Sequence, residues 1–205
     1  MDDFHRRLAR IGLDAAAEHG FALAGGYAVQ AHGILQRPSE DVDLFTSAMR
    51  EDFAEGAAKI IAAYRDHGLD VRIDVDSPQF MRLWVTDTGT GRESKVELAA
   101  DLRSNPPVAM AIGPVAHLDD VAGGKVEALF SRAEARDFID VDALLTSGAF
   151  TRDELLALAA ARDAGFDHSV FAQMLTSLDI YPDTELTAYG LTTAQVTGLR
   201  RRITD

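Results

Sequence analysis

The chain has 205 residues, 47% of them hydrophobic, with 33 acidic against 20 basic side chains and a formal net charge of −13. A chain of this length buries a sizeable core without covalent staples, and the lack of any Cys excludes a disulfide framework, a thiol nucleophile and a zinc-thiolate site. So acidic a protein is a poor general binder of polyanions, and a phosphate-rich substrate would need a local basic patch or bound cations. No run approaches the roughly 20 apolar residues of a membrane span, and Met1-Asp2-Asp3-Phe4-His5 lacks the basic start of a signal peptide. The expected location is the cytoplasm, with no membrane partner.

Phe4, Leu8, Ile11 and Ala15 recur at helical spacing, and Gly20 is a natural stop. Phe21 to Ala24 reads as a short buried strand, broken by Gly25-Gly26, after which Tyr27 to Leu35 returns to helical spacing. Beyond Arg37-Pro38, Val42 to Phe45 reads as a strand in which Val42 and Leu44 face away from Asp41 and Asp43. Thr46 or Ser47 would cap a helix to about His67, with Phe53, Ala57, Ile60, Ile61 and Tyr64 as its apolar stripe. Strands are expected at Leu69 to Val75, Phe80 to Val85 and Lys95 to Ala99, the last two joined as a hairpin by Thr88-Gly89-Thr90-Gly91. From Leu118 nearly everything reads as helix: Leu118 to Arg132, capped by Asp119 or Asp120, then Arg136 to Leu145. A helix follows from the capping box Thr151-Arg152-Asp153-Glu154, and two short ones are capped by Asp167 and Thr192. The expected architecture is α/β (α+β), with a mixed-sheet core over residues 1–116 and a helical C-terminal region over 117–205.

Two carboxylates two residues apart on a strand project from one face, so Asp41 and Asp43 set four acceptor oxygens where divalent cations can bridge them. Gly25-Gly26 ahead of a helix lets the backbone approach an anion closely, with helix-start N–H groups available to a phosphate oxygen. Glu97, alternating away from Val96 and Leu98, would complete the carboxylate cluster or take a proton from an attacking hydroxyl. Asp74, Asp76 and Asp101 compete for that role, and on spacing alone Glu97 could equally face solvent. Lys125, Leu129 and Arg132 share a helix face, and Asp137 and Asp140 repeat the three-residue spacing on the next helix. These basic groups could hold phosphates, or the two helices could simply be salt-bridged. The six histidines are scattered without metal-ligand spacing, and Arg200-Arg201-Arg202 suits a helix C-terminus better than a nucleic-acid contact.

The order Phe21-x-Leu23-x-Gly25-Gly26, then His32-Gly33-x-x-x-Arg37-x-Ser39-x-Asp41-x-Asp43-Leu44-Phe45, resembles the first motif of the AbiEii/AbiGii-type toxin nucleotidyltransferases, a branch of the DNA polymerase β-like superfamily. Asp119-Asp120, Lys125-x-x-Ala128-Leu129-x-x-Arg132 and Arg136-Asp137-x-x-Asp140 are similar to that family's later motifs, in the same order over residues 20–145. Gly26 stands where the wider superfamily has Ser, and Glu97 where Asp is more usual.

The resemblance implies transfer of a nucleoside monophosphate from an NTP co-substrate to an acceptor, with Mg²⁺ (or Mn²⁺) as cofactor. In relatives the acceptor includes the 3′ end of tRNA, and the enzyme is often encoded with a cognate antitoxin. It implies that Asp41 and Asp43 bind metal and that Glu97 falls at the strand carboxylate. Lys125 and Asp137 match the later functional residues. Gly25, Gly26, Arg37, Ser39, Lys125, Arg132 and Arg136 form the nucleotide-binding set. Two rival expectations stand beside it: a nucleotidyltransferase for a small molecule or a protein, which the net charge mildly favours, and an inactive nucleotide-binding relative.

Overall fold

The computed structural model describes residues 1–204, the side chain of residue 204 excepted. Its chain forms two compact units, Met1–Ala31 with Ser39–His117, and His32–Pro38 with Leu118 onward.

The first unit is a mixed sheet of seven strands with helices α1 (Asp3–Ala15), α2 (Gly25–Ala31) and α3 (Glu51–Asp66). The strands are β1 (Ala22–Leu23), β2 (Asp41–Thr46), β3 (Leu69–Asp76), β4 (Phe80–Asp87), β5 (Glu93–Ala100), β6 (Val108–Met110) and β7 (Gly113–Val115). Their order across the sheet is β3-β4-β5-β2-β1-β7-β6. β2 and β5 run parallel, as do β1 and β7, and the other neighbours are antiparallel. β2 therefore lies mid-sheet, and its alternation sorts its side chains as the sequence suggests. Val42 and Leu44 join Leu83, Val96 and Leu98 in a fully buried face, each contributing about 1.5–3 kcal/mol of burial. Residues 41 and 43 project on the opposite side.

α1 and α3 supply the apolar partners of this core: Leu8 and Leu13 from one, Phe53, Ile60 and Tyr64 from the other. The buried Tyr64 hydroxyl donates to the Leu8 carbonyl at 3.0 Å, so its burial leaves no unpaired donor. α3 begins at Glu51, behind Arg50 with φ of +51°, later than a Thr46 or Ser47 cap would start it. Thr46 is used otherwise, donating to the His19 carbonyl at 2.6 Å and accepting from the Ala48 amide at 3.0 Å. α2 is also shorter than its apolar spacing suggests, because Gly33 takes φ of +75° and ends helical geometry. The β6–β7 hairpin was hidden by shortness and by Pro106, Pro107 and Pro114.

The second unit holds α4 (Leu118–Ser131), α5 (Ala135–Thr146), α6 (Arg152–Arg162), α7 (His168–Leu175), α8 (Asp183–Ala188) and α9 (Thr193–Thr204). Its core gathers Val126, Leu129, Phe138, Leu144, Leu155, Phe171, Leu186, Val196 and Leu199, with Ile34 and Leu35 packed against it. The capping box of Thr151 and Glu154 is present, and Asp167 caps α7 by accepting from Ser169 and Val170. Asp119 and Asp120 lie within the first turn of α4 rather than capping it. α8, six residues long, is too short to leave a periodic signal in the sequence. Arg200 and Arg202 act as pins within the unit. Arg200 donates to Asp183 and to the Leu178 and Tyr181 carbonyls, and Arg202 forms a two-pronged pair with Asp142 at 2.6 and 2.8 Å. Among the described residues no helix is long and apolar enough to cross a membrane.

Candidate functional site

The polar face of the sheet is built by register. β2 pairs with β5 so that Asp41 lies opposite Lys95 and Asp43 opposite Glu97, while β4 sets Arg82 opposite Glu97. Strand alternation keeps all of these side chains on one side. Asp41, Asp43 and Glu97 each offer a carboxylate oxygen, and these three atoms lie within 4.8 Å of one another. Asp41 and Asp43 are only 5% and 8% exposed, so their charges cannot rely on bulk water alone.

Among the described residues, this is the one group of three or more potential metal-ligating side chains drawn together so closely. The competing acids lie elsewhere: Asp74 and Asp76 are on edge strand β3, where Asp74 pairs with Arg72 at 3.5 Å. Asp101 follows the end of β5, where its backbone amide donates to the Thr46 carbonyl.

Three further features shape the cluster. Gly25 opens α2 with φ of +58°, and a Cβ placed there would come within 1.7 Å of the Asp43 Oδ2. The bare backbone is thus what lets Asp43 sit where it does. The Ser39 hydroxyl donates to Asp41 Oδ1 at 3.3 Å. Finally, two cations lie among the acids: Lys95 Nζ is 3.0 Å from Asp41 and 3.5 Å from Glu97, and Arg82 donates to Glu97 at 2.9 Å. Lys95 and Arg82 were not singled out from the sequence. Lys95 could have been, since it shares the alternation of Glu97 two residues on, but Arg82 is reached only through the β4–β5 register.

A divalent cation suits this donor set. The ligands are hard carboxylate oxygens, converging and partly buried, and an ammonium ion already rests between two of them.

The second unit gathers the other residues singled out from the sequence into paired charges. Arg37 donates through Nε and Nη2 to the two oxygens of Asp140 at 2.6 and 2.7 Å, and Lys125 Nζ lies 2.8 Å from Asp140 Oδ2. The Arg37 guanidinium also stacks over the Tyr189 ring, 5.7 Å from its centroid. Burial alone would raise the Asp140 carboxyl, but Lys125 and Arg37 more than offset this and hold it below its ordinary value.

Asp137, fully buried, receives two hydrogen bonds from Arg132 at 2.9 Å and one from the Glu134 amide at 3.1 Å at the start of α5. Arg136 lies against the Glu134 carboxylate at 2.8 Å. The structure therefore brings Asp41, Asp43, Glu97, Gly25 and Ser39 together within the first unit. Within the second, Lys125 and Arg37 share one carboxylate, and Arg132 and Asp137 form a separate pair.

Comparison with known proteins agrees with the order of these motifs. A family model described as nucleotidyl transferase AbiEii toxin, type IV toxin-antitoxin system, matches residues 6–196. No curated protein matches the chain in sequence. Among solved structures, a Helicobacter pylori protein described as a candidate nucleotidyltransferase is 19% identical. Its TM-score is 0.58, and the likeness covers 99% of this chain and 91% of that one. JHP933 from Helicobacter pylori is 20% identical with a TM-score of 0.55, covering 98% of this chain and 84% of the other. MenT4, a nucleotidyltransferase toxin from Mycobacterium tuberculosis, is 16% identical with a TM-score of 0.48, covering 88% and 66%.

Proposed function

The chain belongs to the AbiEii nucleotidyltransferase toxin family, and from that premise we propose that it transfers a nucleoside monophosphate from an NTP to an RNA acceptor, the 3′ end of tRNA, in a Mg²⁺-dependent reaction. The observation that carries this reading is the convergence of Asp41, Asp43 and Glu97 within 4.8 Å on one sheet face, beside a glycine that cannot be replaced without collision.

In the reaction the acceptor hydroxyl oxygen forms a bond to the α-phosphorus and the bond from that phosphorus to the bridging β-phosphate oxygen breaks. Pyrophosphate leaves, and the hydroxyl proton passes to the Glu97 carboxylate. Asp41, Asp43 and Glu97 would hold Mg²⁺ (or Mn²⁺), which when bound offsets the charge of the phosphates and polarises the reacting one. Ser39 orients Asp41 through its hydrogen bond, and the backbone at Gly25 and Gly26 leaves room for a phosphate oxygen. Lys125, Arg132, Arg136 and Arg37 are assigned to the triphosphate by their place in the family's motifs. Asp137 acts by orienting Arg132. A cognate antitoxin is the partner expected of a type IV toxin-antitoxin family, and the cytoplasm, where NTP and tRNA are found, is the proposed location.

The net charge of −13 favours a second reading, in which the acceptor is a small molecule or a protein. The deciding experiment incubates the protein with each of the four α-labelled NTPs, Mg²⁺, cellular RNA and a protein extract, and asks which fraction carries label. A labelled tRNA-sized band with one NTP is expected. Asp41→Asn should lower the transfer by roughly 10²–10³-fold or more, the scale of losing one preorganised electrostatic contact, without loss of folding. Label confined to protein or small molecules selects the second reading, and retained transfer by Asp41→Asn refutes the assigned role.

A further inference from the structure

Three carboxylates within 4.8 Å on a partly buried face repel one another, and the chain must hold them together before any ligand arrives. Asp43 and Asp41 are fixed by strand β2, but Glu97 and Asp41 stand on different strands with a lysine between them. Lys95 Nζ lies 3.0 Å from Asp41 Oδ2 and 3.5 Å from Glu97 Oε1, with 22% of its side chain exposed. It reaches both from β5, where the register places its backbone opposite Asp41 and two residues before Glu97. It thus lies against two of the three oxygen sources that a divalent ion would use. Its own charge is compact, and its four-carbon stem can rotate away without disturbing the strand. Arg82 differs: its planar group is set by two nitrogens against Glu97 alone and stacks over Phe80 at 5.5 Å from the ring centroid.

We propose that Lys95 is the resident counter-cation of the carboxylate triad, a positioning residue that holds Asp41 and Glu97 together in the metal-free protein and competes with the divalent cation for them. This rests on the reading of the triad as a metal site. Metal entry then requires the ammonium to leave, so Lys95 lowers the affinity for metal alone, and an incoming triphosphate offers the displaced ammonium a new anionic partner.

The test uses the full chain and Mn²⁺ alone, titrated by calorimetry and by electron paramagnetic resonance, for the wild type, Lys95→Met, Lys95→Arg and Asp41→Asn. Loss of the competing charge in Lys95→Met should tighten Mn²⁺ binding by roughly tenfold, within the usual range of coupling between two sites. Lys95→Arg, which keeps the charge, should bind closer to the wild type. In EDTA, Lys95→Met should melt about 2–4 °C lower, and saturating Mn²⁺ should close that gap. Lys95→Met binding Mn²⁺ no more tightly than a wild type that does bind it would overturn the competition while leaving the metal site standing. Mn²⁺ binding in neither protein, with or without NTP, would overturn both. Binding unaffected by Asp41→Asn would place the ion elsewhere and refute the metal site itself.

Discussion

The two units use the same residue types to opposite ends. On the sheet face, three carboxylates converge with Lys95 and Arg82 among them, both reaching Glu97. In the helical unit Asp140 is one carboxylate shared by Arg37 and Lys125, while Asp137 and Asp142 each take a two-pronged arginine. Carboxylates matched by rigid guanidinium forks hold helices in place. The contrast is one of geometry: carboxylates converge on one point of the sheet face, whereas in the helical unit each carboxylate of the frame is held singly by its own cations.

Removing the shared carboxylate should produce the largest stability loss. Asp140→Asn takes from the buried Arg37 and Lys125 the carboxylate they share, and breaking a buried ion pair in this way costs about 3–5 kcal/mol. Denaturant unfolding measures it. A loss under 1 kcal/mol would mean that Asp140 is not the frame described here.

A smaller stability effect with a larger functional one is expected at Gly25→Ala. A left-handed non-glycine residue costs roughly 1–2 kcal/mol, but the added Cβ also collides with the Asp43 carboxylate. Transfer should therefore fall far more than melting temperature does, which parallel activity and thermal-melt measurements would show. Equal fractional losses would place Gly25 in the frame instead.

The gentlest test is pH. Because Lys125 and Arg37 hold the Asp140 carboxyl below its ordinary value despite burial, the folded state binds that proton less readily than the unfolded chain. The stability it contributes is fully present above the unfolded carboxylate value, near 4, and is lost as pH falls through the lower folded value. Wild type should thus lose stability below pH 4 more steeply than Asp140→Asn. Parallel acid limbs in the two proteins would contradict the ion pairing.

How much of this was legible in the chain depends on the distance over which each feature is set. Asp41 and Asp43 declared a common face through the pleat of a six-residue strand, and Thr151 with Glu154 declared a helix start, because both follow from bonds and dihedrals a few residues long. The order of motifs along the chain was likewise enough to point to the family. Glu97 could not be separated from Asp74, Asp76 or Asp101 by spacing, since that choice depends on which strand lies beside β2 and in what register. The parallel pairing of β2 with β5 settles their proximity and brings Lys95 and Arg82 in with Glu97.

Arg37 shows the same limit in the other unit. Its motif position suggested a phosphate ligand, and spacing gave no sign that its fork pairs with Asp140, 103 residues further on, or that the short segment carrying it packs with the helices. Alternation, caps and motif order are local properties that a sequence expresses directly. Strand register and the pairing of distant charges are decided by the energy of the assembled core, which no short window of residues contains.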